Sequence, residues 1–356
     1  MRPGPLGRAV LASYDPREFP ALWALIEAGE RDRPLTGVRV LSGFPVWTNV
    51  LPQMWAMQSA GADLVVSPDP RVPHDPEVVA ELPELGVPVV KPDPQGRPFD
   101  VVLDCAGIHA DVSSTYGYVE LTQSGVEPYR RCPQPVFLVD AGRIKLIENS
   151  LGTGDGFVRA MAAAGFADLR DRSIVIIGGG KVGRGIAHRV HQSGAIATIV
   201  DSVSGSDSTF GWIDREDRSA VRASLAAAWC VVTATGVPGV MSEYATELNE
   251  GDALLANMGV ADEFGERVAE GRVLNAKKPL NFALPEPTRL RYIDPSLALA
   301  IAGIVEVRSG RLAAGLNAPD PLLEDRILRP VRDHGFVEAA LAAADRARYL
   351  SSHSQS

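Results

Sequence analysis

Cysteine is scarce in this chain: Cys105, Cys132 and Cys230 are the only three, widely spaced and without a CxxC pair. That excludes a disulfide framework and a cysteine-based zinc site, and it fits a reducing cytoplasm. Basic clusters are missing too. No run of Lys or Arg exceeds a pair, and the formal net charge of −9, with a pI near 5.3, repels phosphate backbones and anionic lipid, so nucleic acid is not expected as a partner. No stretch approaches 18 uninterrupted apolar residues, and the opening "MRPGPLGRAV" lacks the apolar core of an export signal, so no membrane contact is expected. His188 and His191 stand three apart on a helical face without a third ligand, and no metal site is expected.

What is present is a chain of 356 residues, 46% hydrophobic and 22% charged, too long for one ordinary core and suited to two globular domains. Apolar β-type runs alternate with helical stretches: "VRVL" at 38, "DLVVS" at 63, "VPVV" at 87, "DVVLDC" at 100 and "VFLVD" at 136. The rhythm recurs as "SIVIIG" at 173, "ATIVD" at 197, "CVVTAT" at 230, "ALLANMG" at 253 and "RVLNA" at 272. Such alternation predicts an α/β fold of two doubly wound, Rossmann-like parallel-sheet domains with a cleft between them. Residues 1–150 form the expected substrate lobe, 151–284 the cofactor domain, and 285–356 the C-terminal helices, part of which return to the first lobe. The stretch 149–171 reads as a hinge-like linker running into an Ala-rich helix, and 335–350 as a helix followed by a frayed tail.

"SIVIIGGGKVGRG" carries the clearest chemistry. Gly178, Gly180 and Gly183 follow a β-branched run and open a helical pattern, with Lys181 and Val182 at its start; Asp201 ends the next strand about twenty residues on. Gly178 permits a tight turn, Gly180 lets backbone approach a diphosphate, and Gly183 lets the helix pack on the strand. The helix amino end offers N–H groups to phosphate. Asp201 accepts hydrogen bonds from ribose hydroxyls and repels a 2′-phosphate, which favours NAD over NADP. Thr233, Thr235 and Gly236 in "VVTATGVPG" and Met258 and Gly259 in "NMG" sit at strand carboxyl ends, the expected nicotinamide half.

In order and spacing, "RPLTGVRVLSGFPVWTNVLPQMWAMQSAGADLVVS", "VVLDCAG", "YGYVELTQSGV", "FLVDAGRIKLIENSLGTGDG", "GGGKVGRG", "VVTATG", "NMGVAD" and "EGRVLN" resemble the S-adenosylhomocysteine hydrolase family over roughly residues 34 to 310. The resemblance implies a substrate lobe, an NAD lobe and an NAD that oxidises a substrate hydroxyl and later reduces it back. It also implies homo-oligomers and adds Thr122, Gln123, Ser124, Asn149 and Asn275 to the NAD contacts. On the catalytic side the sequence departs from the pattern. Pro45, Cys105, Leu121, Ile144 and Val260 stand where that family carries acid, base or histidine side chains, and none of these can hold a proton next to a reacting carbon.

Candidate chemistry therefore shifts to neighbours. Lys145, one position from the family's lysine, is the first choice of acid or base, against a plain surface lysine; His109, Glu120 and Glu148 are the others. Phe44, Trp47 and Asn49, with Asp104, Cys105 and Lys277, make up the expected substrate pocket, its aromatics suited to stacking on a heterocycle or else repacked as core. Cys105 is either a nucleophile or a packing residue. The expected function is an NAD-dependent enzyme, oxidoreductase or hydrolase-like, acting on a small polar or heterocyclic metabolite. The alternatives are an S-adenosylmethionine-dependent methyltransferase on the same scaffold and a non-catalytic NAD-binding protein.

Overall fold

A computed structural model describes residues 3–92, 96–202 and 209–335. The expected helix over 335–350 and the tail lie, apart from Gly335, outside them. The described residues divide into two compact units, one built from those up to Lys145 and from Leu290 to Gly335, the other from Leu146–Arg289. The boundary after Lys145 puts Glu148 and Asn149 in the second unit.

In chain order the strands are β1 Arg39–Ser42, β2 Asp63–Val66, β3 Phe99–Asp104, β4 Ser114–Glu120, β5 Pro135–Leu138, β6 Ser173–Ile177, β7 Ile196–Asp201, β8 Gly211–Asp214, β9 Cys230–Thr233, β10 Leu254–Asn257, β11 Val273–Leu274 and β12 Gly315–Asn317. Each unit contains one six-stranded sheet, ordered β12-β5-β4-β3-β1-β2 in the first and β11-β10-β9-β6-β7-β8 in the second. Every pairing is parallel. Because the strands run in parallel, all loops that leave their carboxyl ends gather along one edge of each sheet. In the second sheet β6 has β7 on one side and β9 on the other, so the chain order reverses there and opens the crevice where such sheets hold ligands.

The run Ile174–Ile177 is apolar throughout because both of its faces are covered. Ile174 and Ile176 point into a core with Phe157 and Met161 of the helix Thr153–Ala163 and Ile186 and Val190 of the helix Lys181–Gln192. Val175 and Ile177 point the other way, to Val221, Leu225 and Leu248. A strand buried on both sides needs this continuous pattern rather than alternation.

Three strands were not expected: β4, β8 and β12. The first contains Gly117 at φ 145°, and the other two are short edge strands with no apolar run to mark them. Conversely, "VPVV" at 87 makes only a single bridge, Val66 to Val89, since Pro88 has no N–H to donate to a ladder. Residues Ile147–Gly152 are not an irregular linker but a wide helical turn leading straight into the helix Thr153–Ala163. Its small residues explain this: a Cβ on Gly154 would lie 2.5 Å from the Gly185 carbonyl oxygen, so glycine lets this helix lie against the one that follows the glycine loop.

In the first unit one carboxylate caps a helix from a distant part of the chain. The backbone N–H groups of Ala21 and Leu22, opening the helix Pro20–Asp32, donate to Asp294 Oδ2 and Oδ1 at 3.0 and 2.9 Å. Asp294 is fully buried, and burial, opposed only in part by these two bonds, raises its pKa from 3.8 to about 7. The folded chain therefore holds this proton at pH values where the unfolded chain has lost it. Stability should fall as pH rises from about 4 to about 7, by up to ~1.4 kcal/mol per pH unit for one such group. Urea unfolding across that range should show the decline, and Asp294→Asn, which cannot ionise, should flatten it.

Candidate functional site

In the second unit the glycine loop has the geometry its residues suggest. Gly178 sits at φ 106°, where a side chain is strained, and a Cβ there would lie 2.6 Å from the Ala234 carbonyl oxygen. At Gly180 nothing lies within 4 Å of a built Cβ, so the backbone faces open space. Gly180 is also the N-cap of the helix Lys181–Gln192, and no side chain caps that end. At Gly183 a Cβ would run into the Gly178 carbonyl oxygen.

Asp201, at the carboxyl end of β7, binds the loop directly. Its Oδ2 accepts from the Gly179 N–H at 2.5 Å and its Oδ1 from the Ser202 N–H at 2.6 Å. The acid thus holds the turn in place and presents a carboxylate beside it.

The β9 and β10 ends are tied by two polar residues that motif reading missed. Glu263, fully buried, accepts from the Thr235 N–H at 2.9 Å, the Thr235 hydroxyl at 2.9 Å and the Gly236 N–H at 2.7 Å. Asn257 Oδ1 accepts from the Thr233 hydroxyl and the Gly259 N–H, while its Nδ2 donates to the carbonyls of Gly259, Ala261 and Lys277. An acid shortly past "NMG" was the available signal, but nothing in a linear pattern says which backbone it will meet. Gly236, at φ 74° with no atom within 4 Å of a built Cβ, is the open point of this turn, whereas the hydroxyls of Thr233 and Thr235 are taken up internally. Met258 is buried. Asn275, Ala276 and Lys277 form a left-handed run, φ 55°, 48° and 63°, and Asn275 Nδ2 donates to the Pro279 carbonyl. Glu148 and Asn149 stand half-buried in the wide turn at 147–152.

Lys277 has partners within its own unit. Its ammonium donates to the Gly265 carbonyl at 2.7 Å and to Asp262 at 3.2 Å, and so fastens its own loop.

In the first unit Asp104 and Glu120 lie opposite each other on β3 and β4, both fully buried. Asp104 accepts from the N–H groups of Cys105 and His109 and from the Tyr129 hydroxyl. Glu120 accepts from the N–H groups of Ala106, Gly107 and Thr122 and from the Thr122 hydroxyl. Together they brace the loop 105–109, in which Ala106 and Gly107 turn left-handed. Burial, reinforced by the Asp104 charge, pushes Glu120 up to about 7; burial also raises Asp104, and burial with the Asp104 charge raises Tyr129. Both oxygens of Glu120 accept hydrogen bonds from nearby backbone, so this carboxylate braces the loop. The Thr122 hydroxyl is bonded to Glu120, and Asp104 is engaged by the loop and by Tyr129.

His109 is buried, with Nε2 3.3 Å from the Ser67 carbonyl oxygen and its ring against Gly43. Phe44, Asn49 and Cys105 are buried and Trp47 half-buried, so Phe44 belongs to packing more than to an open stacking face. Lys145 is not a surface lysine: only 2% of it is exposed. Val260, in contrast, is 75% exposed.

Residues 166–264 match a family described as "Putative NAD(P)-binding". The glycine loop, Asp201 and the "TATG" turn all fall inside that stretch. The second unit thus carries an NAD(P)-binding domain. Among characterised relatives, the chain is 28% identical over 276 residues to an adenosylhomocysteinase of Aeropyrum pernix, covering 68% of this chain and 65% of that protein. It is 26% identical over 278 residues to an S-inosyl-L-homocysteine hydrolase of Methanopyrus kandleri, covering 68% and 64%. The matched region therefore spans slightly less than two thirds of those relatives. Among solved structures, a chain of the dipicolinate synthase from Bacillus halodurans shares the fold, with a TM-score of 0.51 and 15% identity over 77% of this chain and 99% of that one. No helix among the described residues is long and apolar enough to cross a membrane.

Proposed function

We propose that the chain is an NAD-dependent enzyme that exchanges hydride with a small polar or heterocyclic metabolite, and that it does not carry out ordinary adenosylhomocysteine hydrolysis. The observation that carries this reading is the glycine loop bonded to Asp201 at the point where the second sheet reverses its strand order. These residues fit a dinucleotide. The diphosphate has open space at Gly180 and an uncapped helix end, and the adenosine ribose has a carboxylate beside the turn. When bound, the nicotinamide supplies a two-electron hydride donor or acceptor.

The rest falls to side chains of this chain. Glu263 and Asn257 hold the turns after β9 and β10, which fixes the floor on which the nicotinamide half would rest. Lys145, buried, is the proposed acid or base at a carbinol oxygen, with His109 as the other candidate. Hydrolysis of adenosylhomocysteine by the related enzymes' route would require proton carriers at positions held here by Cys105, Leu121, Ile144 and Val260. The first three are buried and the last is an exposed aliphatic, so none replaces that machinery.

Denaturing the purified chain and identifying released small molecules by mass spectrometry should recover NAD, or, if the nucleotide exchanges freely, calorimetry should show NAD binding. Recovered S-adenosylmethionine would point to methyl transfer instead. A protein that neither carries NAD nor binds it at millimolar concentration would overturn the reading.

A further inference from the structure

We propose that Trp212 is a specificity residue of this cofactor site: its indole, clamped by Arg184, fills the room beside Gly179 and Asp201 that a 2′-phosphate on the adenosine ribose would need. The inference rests on the dinucleotide reading above and names which nucleotide the site accepts.

The placement follows from strand register. β8 pairs with β7 so that Trp212 lies opposite Ile199 and Asp214 opposite Asp201. Side chains two apart on a strand share a face, which puts Trp212 on the same side of the sheet as Asp201. The indole reaches along that face to the glycine loop. A Cβ built on Gly179 would stand 3.0 Å from Trp212 Cζ3, 3.2 Å from its Cη2 and 3.1 Å from Asp201 Oδ2. Ring and carboxylate therefore border the same small volume, and a side chain at 179 has no room in it.

Arg184 closes the other side. Its Nε donates to the Gly179 carbonyl at 2.6 Å, and its guanidinium carbon lies 5.4 Å from the Trp212 ring centroid. The cation that could have answered a 2′-phosphate is thus committed to the loop and to the ring face. Arg215, the next cation along the chain after β8, lies against Glu216 at 3.2 Å. A free 2′-hydroxyl can donate to Asp201 in this setting. A phosphate there would face the Asp201 carboxylate at close range and displace the ring.

This differs from exclusion by Asp201 alone, because it assigns a steric share to a residue on a neighbouring strand. The indole N–H is buried and has no hydrogen-bond partner among the described residues, so replacing the ring removes packing and the Arg184 contact but no hydrogen bond to those residues.

The test is calorimetric binding of NAD and of NADP to the full chain and to Trp212→Ala, Trp212→Leu, Gly179→Ala and the Gly179→Ala/Trp212→Ala pair, each checked for cooperative melting. The original protein should prefer NAD. Either Trp212 variant should narrow the NAD-to-NADP preference by roughly tenfold or more, through tighter NADP binding as space opens and Arg184 is released. Gly179→Ala should weaken NAD binding in the original background and cost less once the ring is gone. Folded Trp212 variants that keep the original preference, or that lose both nucleotides alike, would overturn the inference, as would a folded Gly179→Ala with undiminished NAD affinity. Failure of the unaltered protein to bind either nucleotide would instead overturn the proposed function on which the inference stands.

Discussion

Gly183→Val should sharply weaken nucleotide binding and lower the melting temperature. A Cβ at this position would overlap the carbonyl oxygen of Gly178 and lie 3.0 Å from its carbonyl carbon and 3.3 Å from Ile176 Cγ2. The obstacle is backbone on one side and a fully buried strand residue on the other, so neither can swing away. The helix would have to move off the strand, costing about 1–3 kcal/mol of stability as overpacked cores do. The same movement carries the uncapped helix end away from the loop, and NAD affinity should fall by about 100-fold or more, since each ~1.4 kcal/mol of lost interaction is tenfold. Titration calorimetry for binding and scanning calorimetry for stability read the two effects separately. A folded variant that binds NAD as before would mean that the nucleotide does not lie on this loop.

Glu263→Ala should be the second severe change, and it acts through a different route. The carboxylate accepts two backbone N–H bonds and one hydroxyl bond in a fully buried place. Truncation leaves those donors without a partner, at about 1–3 kcal/mol for each buried group, so a loss of several kcal/mol in urea unfolding is expected. Glu263→Gln keeps the shape but turns one acceptor oxygen into an NH2 that meets N–H donors head on. It should lose nearly as much, which separates the charge and its acceptor pattern from simple volume. In both variants NAD binding should weaken, because the turn carrying Thr235 and Gly236 loses the group that holds it. Unchanged stability in Glu263→Ala would show that this carboxylate is not what fixes the turn.

The glycine loop was legible in the sequence because each of its requirements is local: a buried strand, a turn that only glycine can make, a helix start, and an acid at the next strand end. The relevant atoms lie within one βαβ unit, and residue type alone restricts what the backbone can do. The first unit was less transparent for the opposite reason. Glu120 reads as a proton carrier and Asp104 as part of a substrate pocket, but the polar groups that engage them, from Ala106, Gly107, His109, Thr122 and Tyr129, are assigned only by the pairing of β3 with β4 and the fold of the chain around that pair. The partners of Lys277 were hidden in the same way. A lysine after a strand end is compatible with a free cation, and only the chain's return past Asp262 and Gly265 supplies its partners.

The amino-acid order by itself determined the parallel α/β architecture, the glycine loop and the acid beside it, since hydrophobic periodicity and glycine stereochemistry operate over a few residues. Tertiary structure alone decided that Asp294 caps a helix some 270 residues away, that Glu263 holds the turn after β9, that Lys145 is buried, and that Trp212 stands against Gly179. Hydrogen bonding and exclusion of volume act between atoms close in space, and for these four residues the neighbours that matter come from elsewhere in the chain.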